Sequence, residues 1–142
     1  MKIGMIGLGR MGANMARRLL RQGVGVAAWN RTPDKARALA EEGAEPCATL
    51  AEVAAALPAP RAVWLMLPAG PTVDEKIEEL IGLLAPGDVI VEGGNSRHQD
   101  DLRRAEALAG HGLQYVDAGV SGGVWGLEKG YCLMIGGPRP AF

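Results

Sequence analysis

The chain has 142 residues, of which 48% are hydrophobic and 22% charged, and its formal net charge is −1. This length is typical of one domain with a real core, and the composition excludes a disordered chain. The near-neutral charge argues against nucleic acid as a partner. With no export signal and no run of ~18 apolar residues, we expect a cytoplasmic protein without a membrane partner, whose two cysteines are free thiols.

The first half of the chain alternates short apolar runs with amphipathic stretches. In chain order, the pattern predicts a strand at 2–7, a helix at 11–23, a strand at 24–29, helices at 32–43 and 49–57, and a strand at 62–67. Thr32 is the predicted N-cap of its helix, because Pro33 follows at the first helical position. Thr49 and Glu52 have the spacing of a capping box at the next helix start.

The second half continues the alternation. The pattern predicts a helix at 72–87, a strand at 88–94, a helix at 96–112 and strands at 113–119 and 130–137. Thr72 with Glu75, and Ser96 with Gln99, are the predicted capping pairs of these two helices. Strands that alternate with helices require right-handed crossovers. We therefore predict a doubly wound Rossmann-type α/β domain with a mostly parallel sheet and helices on both faces.

A glycine motif lies between the first predicted strand and the first predicted helix. Gly7, Gly9 and Gly12 have G-x-G-x-x-G spacing, which in this context is typical of dinucleotide binding. Gly7 allows the tight turn, Gly9 the close approach of a pyrophosphate, and Gly12 the packing of helix on strand. The alternative is a tight turn that binds nothing. The intervening residues assigned to the same site are Leu8, Arg10 and Met11.

The end of the second predicted strand bears on the identity of the dinucleotide. NAD-binding domains usually place an acidic residue here to bind the ribose hydroxyls. This chain has Asn30, Arg31 and Thr32 instead. A neutral amide, a guanidinium and a hydroxyl suit a 2′-phosphate, so NADP is favoured over NAD. The alternative is that Thr32 only caps its helix and Arg31 is a solvated charge.

Further candidate residues follow the later strands, whose carboxyl ends meet at one edge of the sheet. The 67–70 loop is expected beside the nicotinamide half of the cofactor. The amide of Asn95 could bridge cofactor and substrate, and the stretch 121–123 offers a hydroxyl and free backbone N–H groups. Taken singly, Asn95 as a turn residue and Ser121 as an ordinary loop hydroxyl are the simpler interpretations. Neither histidine has a partner at metal-ligand spacing, so no metal is predicted.

Taken together, these motifs resemble the decarboxylating 6-phosphogluconate dehydrogenases of the pentose phosphate pathway. The matching stretches are IGLGRMGANMARRL, NRT, GGNS, DDLRRAE and VDAGVSGGVWGLEKGYCLMIGG. The version with WGLEKGYCLM is similar to the short bacterial branch of that family. The related β-hydroxyacid dehydrogenases share the glycine motif and a VSGG loop, but the GGNS and DDLRR stretches are not expected of them.

The resemblance implies which residues bind the ligands. NADP, with NAD as the alternative, would contact residues 7–12, 30–32 and the loop Leu67, Pro68 and Ala69. Pro68 lies where longer family members have a lysine, which argues against a direct charge contact there. Asn95 would contact both cofactor and substrate. The 6-phosphogluconate would be held by Asn95, Ser121, Gly122 and Gly123.

The resemblance also implies a reaction and a larger protein. Hydride transfer from the C3 hydroxyl to NADP would be followed by loss of CO₂ and protonation of an enediol to ribulose 5-phosphate. The catalytic lysine and glutamate are expected in a following helical domain, and Glu128 and Lys129 are interpreted as a solvated pair. We expect residues 1–142 to be the inactive N-terminal cofactor-binding domain of a homodimeric enzyme. The alternatives are a 3-hydroxyisobutyrate-like β-hydroxyacid dehydrogenase and a non-catalytic NADP-binding module.

Overall fold

The computed structural model describes residues 1–141, except for the side chains of Val124 and Pro140. The predicted domain extends to Phe142, which lies outside the described residues. The strands are β1 (Lys2–Ile6), β2 (Gly25–Trp29), β3 (Glu45–Pro46), β4 (Ala62–Leu65), β5 (Val89–Glu92), β6 (Gln114–Ser121) and β7 (Cys132–Gly136). The helices are α1 (Arg10–Arg21), α2 (Pro33–Ala40), α3 (Leu50–Ala56), α4 (Pro71–Ile81), α5 (His98–Ala109) and α6 (Gly126–Lys129). Two 3-10 turns cover Gly123–Trp125 and Arg139–Ala141.

The seven strands form one sheet in the order β3-β2-β1-β4-β5-β6-β7. Neighbouring strands from β3 to β6 are parallel, and β7 pairs with β6 in the antiparallel sense. The chain therefore winds outwards from β1 in one direction and from β4 in the other. The carboxyl ends of β1 and β4 adjoin the crevice at which ligands of such sheets bind.

Helices cover both faces of the sheet because side chains along each strand alternate between the faces. Ile6 and Ala27 pack with the buried residues of α3 and α4 on one face. Met5 and Ala28 pack with those of α1 and α2 on the other. The prediction of a doubly wound, mostly parallel α/β sheet is confirmed.

The helix caps only partly follow the sequence motifs. The backbone N–H of Glu52 donates to Thr49 Oγ1 at 3.1 Å, as the capping box predicts. The prediction of Thr72 as an N-cap is wrong, because α4 begins at Pro71 with Gly70 as its N-cap. The prediction of Ser96 is also wrong, because α5 begins at His98 with Arg97 as its N-cap. Thr32 has the predicted N-cap position of α2, although its side chain caps no backbone N–H.

A buried carboxylate joins the chain segments at the amino ends of β4 and β5. The backbone N–H of Arg61 donates to Asp88 Oδ1 at 2.6 Å, and its guanidinium Nη1 lies 3.0 Å from Oδ2. The backbone N–H of Ala85 also donates to Oδ2, at 2.9 Å. Burial alone would raise the pKa of Asp88, but these bonds outweigh it and hold the pKa below its usual range.

Two further features concern the cysteines and the length of the helices. Cys47 is buried, Cys132 is exposed, and both are free thiols. No helix in residues 1–141 is long and apolar enough to cross a membrane.

Candidate functional site

The turn between β1 and α1 depends on two glycines that have no room for a side chain. Gly7 has a φ of +96°, and a Cβ there would overlap the carbonyl oxygen of Met66. A Cβ on Gly12 would overlap the carbonyl oxygen of Gly7. These contacts bring the start of α1 close to β1 and β4. The predicted roles of Gly7 in the turn and Gly12 in helix packing match this geometry.

Gly9 has the opposite environment. It is the N-cap of α1, with a φ of −66°, and no atom lies within 4 Å of a Cβ built on it. It is exposed and lines the cleft at the helix N-terminus. The structure itself does not require a glycine here. A ligand that approaches the backbone closely would require one.

Asn30 fastens the end of β2 to the glycine turn. The backbone N–H of Leu8 donates to Asn30 Oδ1 at 2.8 Å, and Asn30 Nδ2 donates to the carbonyl of Thr32 at 3.1 Å. Both functional atoms of the amide are thus bonded within the chain. The side chain of Leu8 belongs to the core, with 2% exposure. Asn30 shapes the turn, and Arg31 and Thr32, which follow it, line a cleft.

A cleft of about 450 Å³ lies over the carboxyl ends of β1, β2 and β4. Seven of the predicted cofactor residues line it: Gly7, Gly9, Asn30, Arg31, Thr32, Leu67 and Pro68. The other predicted cofactor residues do not line it: Leu8, Arg10, Met11, Gly12, Ala69 and Asn95. The volume lies in the range of small-molecule sites.

The cleft has further lining residues that the sequence motifs did not assign: Trp29, Lys35, Met66, Thr72, Glu75 and Lys76. Lys76 Nζ lies 5.0 Å from the centre of the Trp29 ring. The indole N–H of Trp29 donates to the carbonyl of Ala48 at 3.1 Å, which fixes the ring plane. Positions 72, 75 and 76 are spaced so that they share one face of a helix. This spacing is the sequence signal from which their common position at the cleft could have been predicted.

Positive charge predominates among the ionisable residues that line this cleft. Arg31 directly follows β2, Lys35 lies in the first turn of α2, and Lys76 reaches across from α4. Glu75 is the acidic residue among the residues that line the cleft. Lys76 Nζ also lies 2.8 Å from Glu79 Oε2, which offsets its charge. The guanidinium of Arg31 and the ammonium group of Lys35 on a concave surface favour a phosphate ligand.

The predicted substrate residues come together at the carboxyl ends of β5 and β6. Asn95 has a φ of +59°, and its Oδ1 accepts the backbone N–H of Val120 at 3.1 Å. This bond places Asn95 beside Ser121, the last residue of β6. Gly122 and Gly123 follow with φ values of +147° and +49°. The structure therefore forms one polar edge from residues that are far apart in the sequence.

The segment after this edge packs on α1. Arg18 Nη1 donates to the carbonyls of Leu127 at 3.1 Å and Glu128 at 3.4 Å. The Glu128 carboxylate lies 3.3 Å from Arg21, and Lys129 Nζ lies 5.5 Å from the centre of the Trp125 ring. Glu128 and Lys129 thus have separate partners, so the interpretation of them as a pair is wrong.

Three carboxylates form an acidic cluster behind the Asn95 turn. Glu92, Asp101 and Asp117 each place an oxygen within 4.8 Å of the others. Glu92 accepts the N–H of Gly94 at 2.6 Å, and Asp101 accepts the hydroxyl of Tyr115 at 2.7 Å. Burial raises the pKa of Glu92 and of Asp117. Local sequence patterns do not reveal this cluster, because its residues come from three elements, β5, α5 and β6. Glu92 and Asp101 Oδ1 are bonded within the chain, whereas Asp101 Oδ2 is buried without a hydrogen-bond partner among the described residues. The absence of a metal stays a prediction.

Comparison with known proteins agrees with this geometry. A family model described as the NAD binding domain of 6-phosphogluconate dehydrogenase matches residues 2–142. The chain is 42% identical, over all 142 residues, to a Haloferax volcanii protein named NAD(+)-dependent, decarboxylating 6-phosphogluconate dehydrogenase. The chain spans 46% of the length of that protein.

Two solved structures have the same fold. One is Plasmodium falciparum 6-phosphogluconate dehydrogenase, described in its apo form and in complexes with NADP+ and with 6-phosphogluconate. Its TM-score is 0.92 at 33% identity, over 99% of this chain and 32% of that one. The other is Mycobacterium tuberculosis 3-hydroxyisobutyrate dehydrogenase, with a TM-score of 0.86 at 28% identity, over 97% of this chain and 47% of that one. The glycine turn, the cleft and the family match agree, and the chain belongs to the family of 6-phosphogluconate dehydrogenase NAD-binding domains.

Proposed function

We propose that this chain is the cofactor-binding part of an NADP-dependent, decarboxylating 6-phosphogluconate dehydrogenase of the pentose phosphate pathway, acting in the cytoplasm. The observation that carries the choice of NADP is the cluster of Arg31, Thr32 and Lys35 at the end of β2. This cluster offers a guanidinium, a hydroxyl and an ammonium group where an NAD-specific site usually has a carboxylate. The Haloferax volcanii relative is named as NAD(+)-dependent. The cofactor therefore needs a direct test.

The shape of the cleft fits a dinucleotide. Gly9 leaves the N-terminus of α1 open, so that the pyrophosphate can approach the backbone and the positive end of the helix dipole. Trp29 and Lys76 border the adenosine side of the cleft. On the opposite side, β4 and β5 end in the loops that carry Pro68 and Asn95. We assign that side to the nicotinamide.

The substrate is proposed to bind beside the nicotinamide, at Asn95, Ser121, Gly122 and Gly123. The Asn95 side-chain oxygen is held by Val120, which leaves its Nδ2 to donate to a substrate hydroxyl or to the cofactor. Ser121 is exposed at the end of β6 and offers its hydroxyl to the sugar acid. A bound nicotinamide would supply the acceptor for the hydride of the substrate. The residues of this chain orient the two ligands for that transfer.

The proton transfers need groups outside this site. Oxidation of a secondary alcohol requires a base, and protonation of the enediol after loss of CO₂ requires an acid. Glu128 and Lys129 already contact Arg21 and Trp125, so we do not assign them these roles. We propose that a lysine and a glutamate of a further, helical domain act here in a homodimeric whole protein. The spans of 46% and 32% of the relatives' lengths support a larger protein.

The fold likeness to 3-hydroxyisobutyrate dehydrogenase favours a second candidate, a β-hydroxyacid dehydrogenase. A third candidate is a binding module without catalysis. An assay of the whole protein with 6-phosphogluconate and with 3-hydroxyisobutyrate separates them. We expect turnover of 6-phosphogluconate with release of CO₂. Turnover of the small acid alone would overturn the proposal in favour of the second candidate, and no turnover of either would favour the third.

The cofactor proposal is tested by Arg31→Ala in this chain, with calorimetric titration of NADP and NAD. Loss of a charge-assisted contact to a phosphate is expected to weaken NADP binding about 10- to 100-fold, with NAD binding changed by less than about 3-fold. The matched control is Arg37→Ala in α2, because Arg37 pairs with Asp34 at an exposed position and does not line the cleft. Equal losses for the two cofactors in Arg31→Ala would show that Arg31 does not bind the 2′-phosphate.

A further inference from the structure

Arg104 is a charged residue of α5 that is 2% exposed and does not line the cleft. Its Nε donates to Asp74 Oδ1 in α4 at 2.8 Å, and its Nη1 donates to Ser96 Oγ at 2.8 Å. Its Nη2 donates to the carbonyl of Gly70 at 3.4 Å, and Asp101 Oδ1 lies 3.5 Å from Nη1. One buried guanidinium therefore joins the loop after β4, the start of α4 and the turn after β5.

The turn at 93–97, with the sequence GGNSR, has no apolar side chain that could anchor it in the core. Its position depends on polar contacts. The carboxylate of Glu92 accepts the N–H of Gly94 at 2.6 Å and that of Ser96 at 3.3 Å. Asn95 bonds to Val120, and Arg104 bonds to Ser96. Removal of the Arg104 contact would leave this turn without its connection to α4.

Helix α4 is held differently. Val73, Ile77 and Leu80 are buried in the core on the helix side that faces the sheet. Because these three aliphatic side chains are buried, the position of α4 on the sheet does not depend on Arg104. A change at Arg104 is therefore expected to move the turn at 93–97 and to leave the adenosine side of the cleft in place.

We propose that Arg104 is a positioning residue that holds the turn at 93–97, and with it Asn95, against the loop after β4 so that both meet the nicotinamide half of the cofactor. The inference rests on the proposed function, since it assumes that the cleft binds NADP. The planar guanidinium suits this position because it donates in several fixed directions at once. A lysine in its place has one ammonium group and does not reach acceptors on three segments.

The test compares two ligands by ¹H–¹⁵N NMR of this chain: NADP, and 2′,5′-ADP, which lacks the nicotinamide half. In the unchanged chain, both ligands are expected to shift the amide signals of Gly9, Arg31 and Thr32. NADP alone is expected to shift those of Gly94 and Asn95. In Arg104→Lys, the shifts at the first group are expected to remain and the NADP-specific shifts at the second group to be lost.

Arg103→Lys is the matched control, because Arg103 also contacts Asp74 but is exposed and has no bond to Ser96. It is expected to keep both sets of shifts. If Arg104→Lys fails to fold, Ser96→Ala is the second variant. It removes the bond between Arg104 and the Ser96 hydroxyl but leaves the buried guanidinium in place. Loss of the NADP-specific shifts in Ser96→Ala supports the proposal.

Three results would overturn the inference. The first is the retention of NADP-specific shifts at Gly94 and Asn95 in both Arg104→Lys and Ser96→Ala. The second is an equal loss of all shifts for both ligands in folded Arg104→Lys, which is what a merely structural role would produce. The third is the absence of NADP-specific shifts at the turn in the unchanged chain while Gly9 and Arg31 still respond. Failure of the proposed function differs from all three, because then Gly9 and Arg31 would respond to neither ligand.

Discussion

Gly9 and Gly12 belong to the same motif, but the structure constrains them for different reasons. Gly12 packs against the carbonyl of Gly7, so its lack of a side chain is required by the fold. Gly9 has open space where a Cβ would lie and a φ that any residue adopts. A ligand that approaches the backbone closely, as proposed above, would require glycine at position 9. This difference separates binding from folding within one short motif.

Substitution of each glycine by alanine tests this distinction. Gly9→Ala is expected to weaken NADP binding about tenfold or more, because the methyl group occupies the space of the pyrophosphate, and to change the unfolding free energy by less than about 1 kcal/mol. Gly12→Ala is expected to cost about 1–3 kcal/mol of unfolding free energy, because the methyl group overlaps the backbone. Urea denaturation and calorimetric titration measure both effects. Similar losses of stability in the two variants would contradict this account.

For Asn30, the sequence predicts the position of the residue but not the hydrogen bonds of its side chain. Its position at the end of β2 was predicted, and it does line the cleft. Its amide nevertheless bonds to Leu8 and Thr32. The sequence could not indicate this, because an amide beside a phosphate site and an amide that braces the glycine turn occupy the same position in the motif.

At the scale of elements, the sequence located the helices and strands better than their ends. Thr49 caps α3 as predicted, since no competing start signal precedes it. Thr72 does not cap α4, because Gly70 and Pro71 provide an earlier start. Ser96 does not cap α5, because its hydroxyl accepts a bond from Arg104. Local motifs failed where a neighbouring residue or a distant side chain competed for the same group.

The contact between α1 and α6 leads to a prediction at this scale. Arg18→Met removes the side-chain donor to the carbonyls of Leu127 and Glu128. We expect the amide of Gly130, which bonds to Gly126 at 3.0 Å, to exchange its hydrogen about tenfold faster, because local opening costs less free energy. Hydrogen exchange followed by NMR measures this rate.

Arg21→Met is the matched control for that experiment. Arg21 contributes an exposed ion pair with Glu128 at 3.3 Å, and such pairs add little stability. Its removal is expected to leave the exchange rate at Gly130 nearly unchanged. If the exchange rate at Gly130 rose equally in both variants, the positive charge of α1, and not the bonds of Arg18 to the two carbonyls, would hold the segment in place.

At the scale of the whole molecule, the Asp88 carboxylate links stability to pH. Its pKa lies below the ordinary value of 3.8, so the folded chain favours the charged form. The resulting stabilisation is fully present above the ordinary value and is lost as the pH falls through the lowered folded-state pKa. Asp88→Asn is expected to lower the unfolding free energy by about 2 kcal/mol at neutral pH, and by less in acid.

Urea denaturation at pH 7 and at about pH 3 tests this prediction. Asp34→Asn is the control, because Asp34 forms an exposed pair with Arg37 and is expected to change stability little at either pH. If Asp88→Asn lowered the unfolding free energy by the same amount at both pH values, the charge of the carboxylate would be excluded as the source of the stabilisation.

The sequence by itself determined the class of the fold, the glycine turn and the neutral and basic end of β2. These features depend on residues close together in the chain, whose spacing sets strand, turn and helix directly. The tertiary structure decided which side chains meet. Lys35 and Lys76 on the cleft, the acidic cluster, and the contacts of Arg104 with Gly70 and Asp74 each join elements that are separate in the sequence. Local periodicity carries no information about such distances, because strand order and helix crossing bring these groups together.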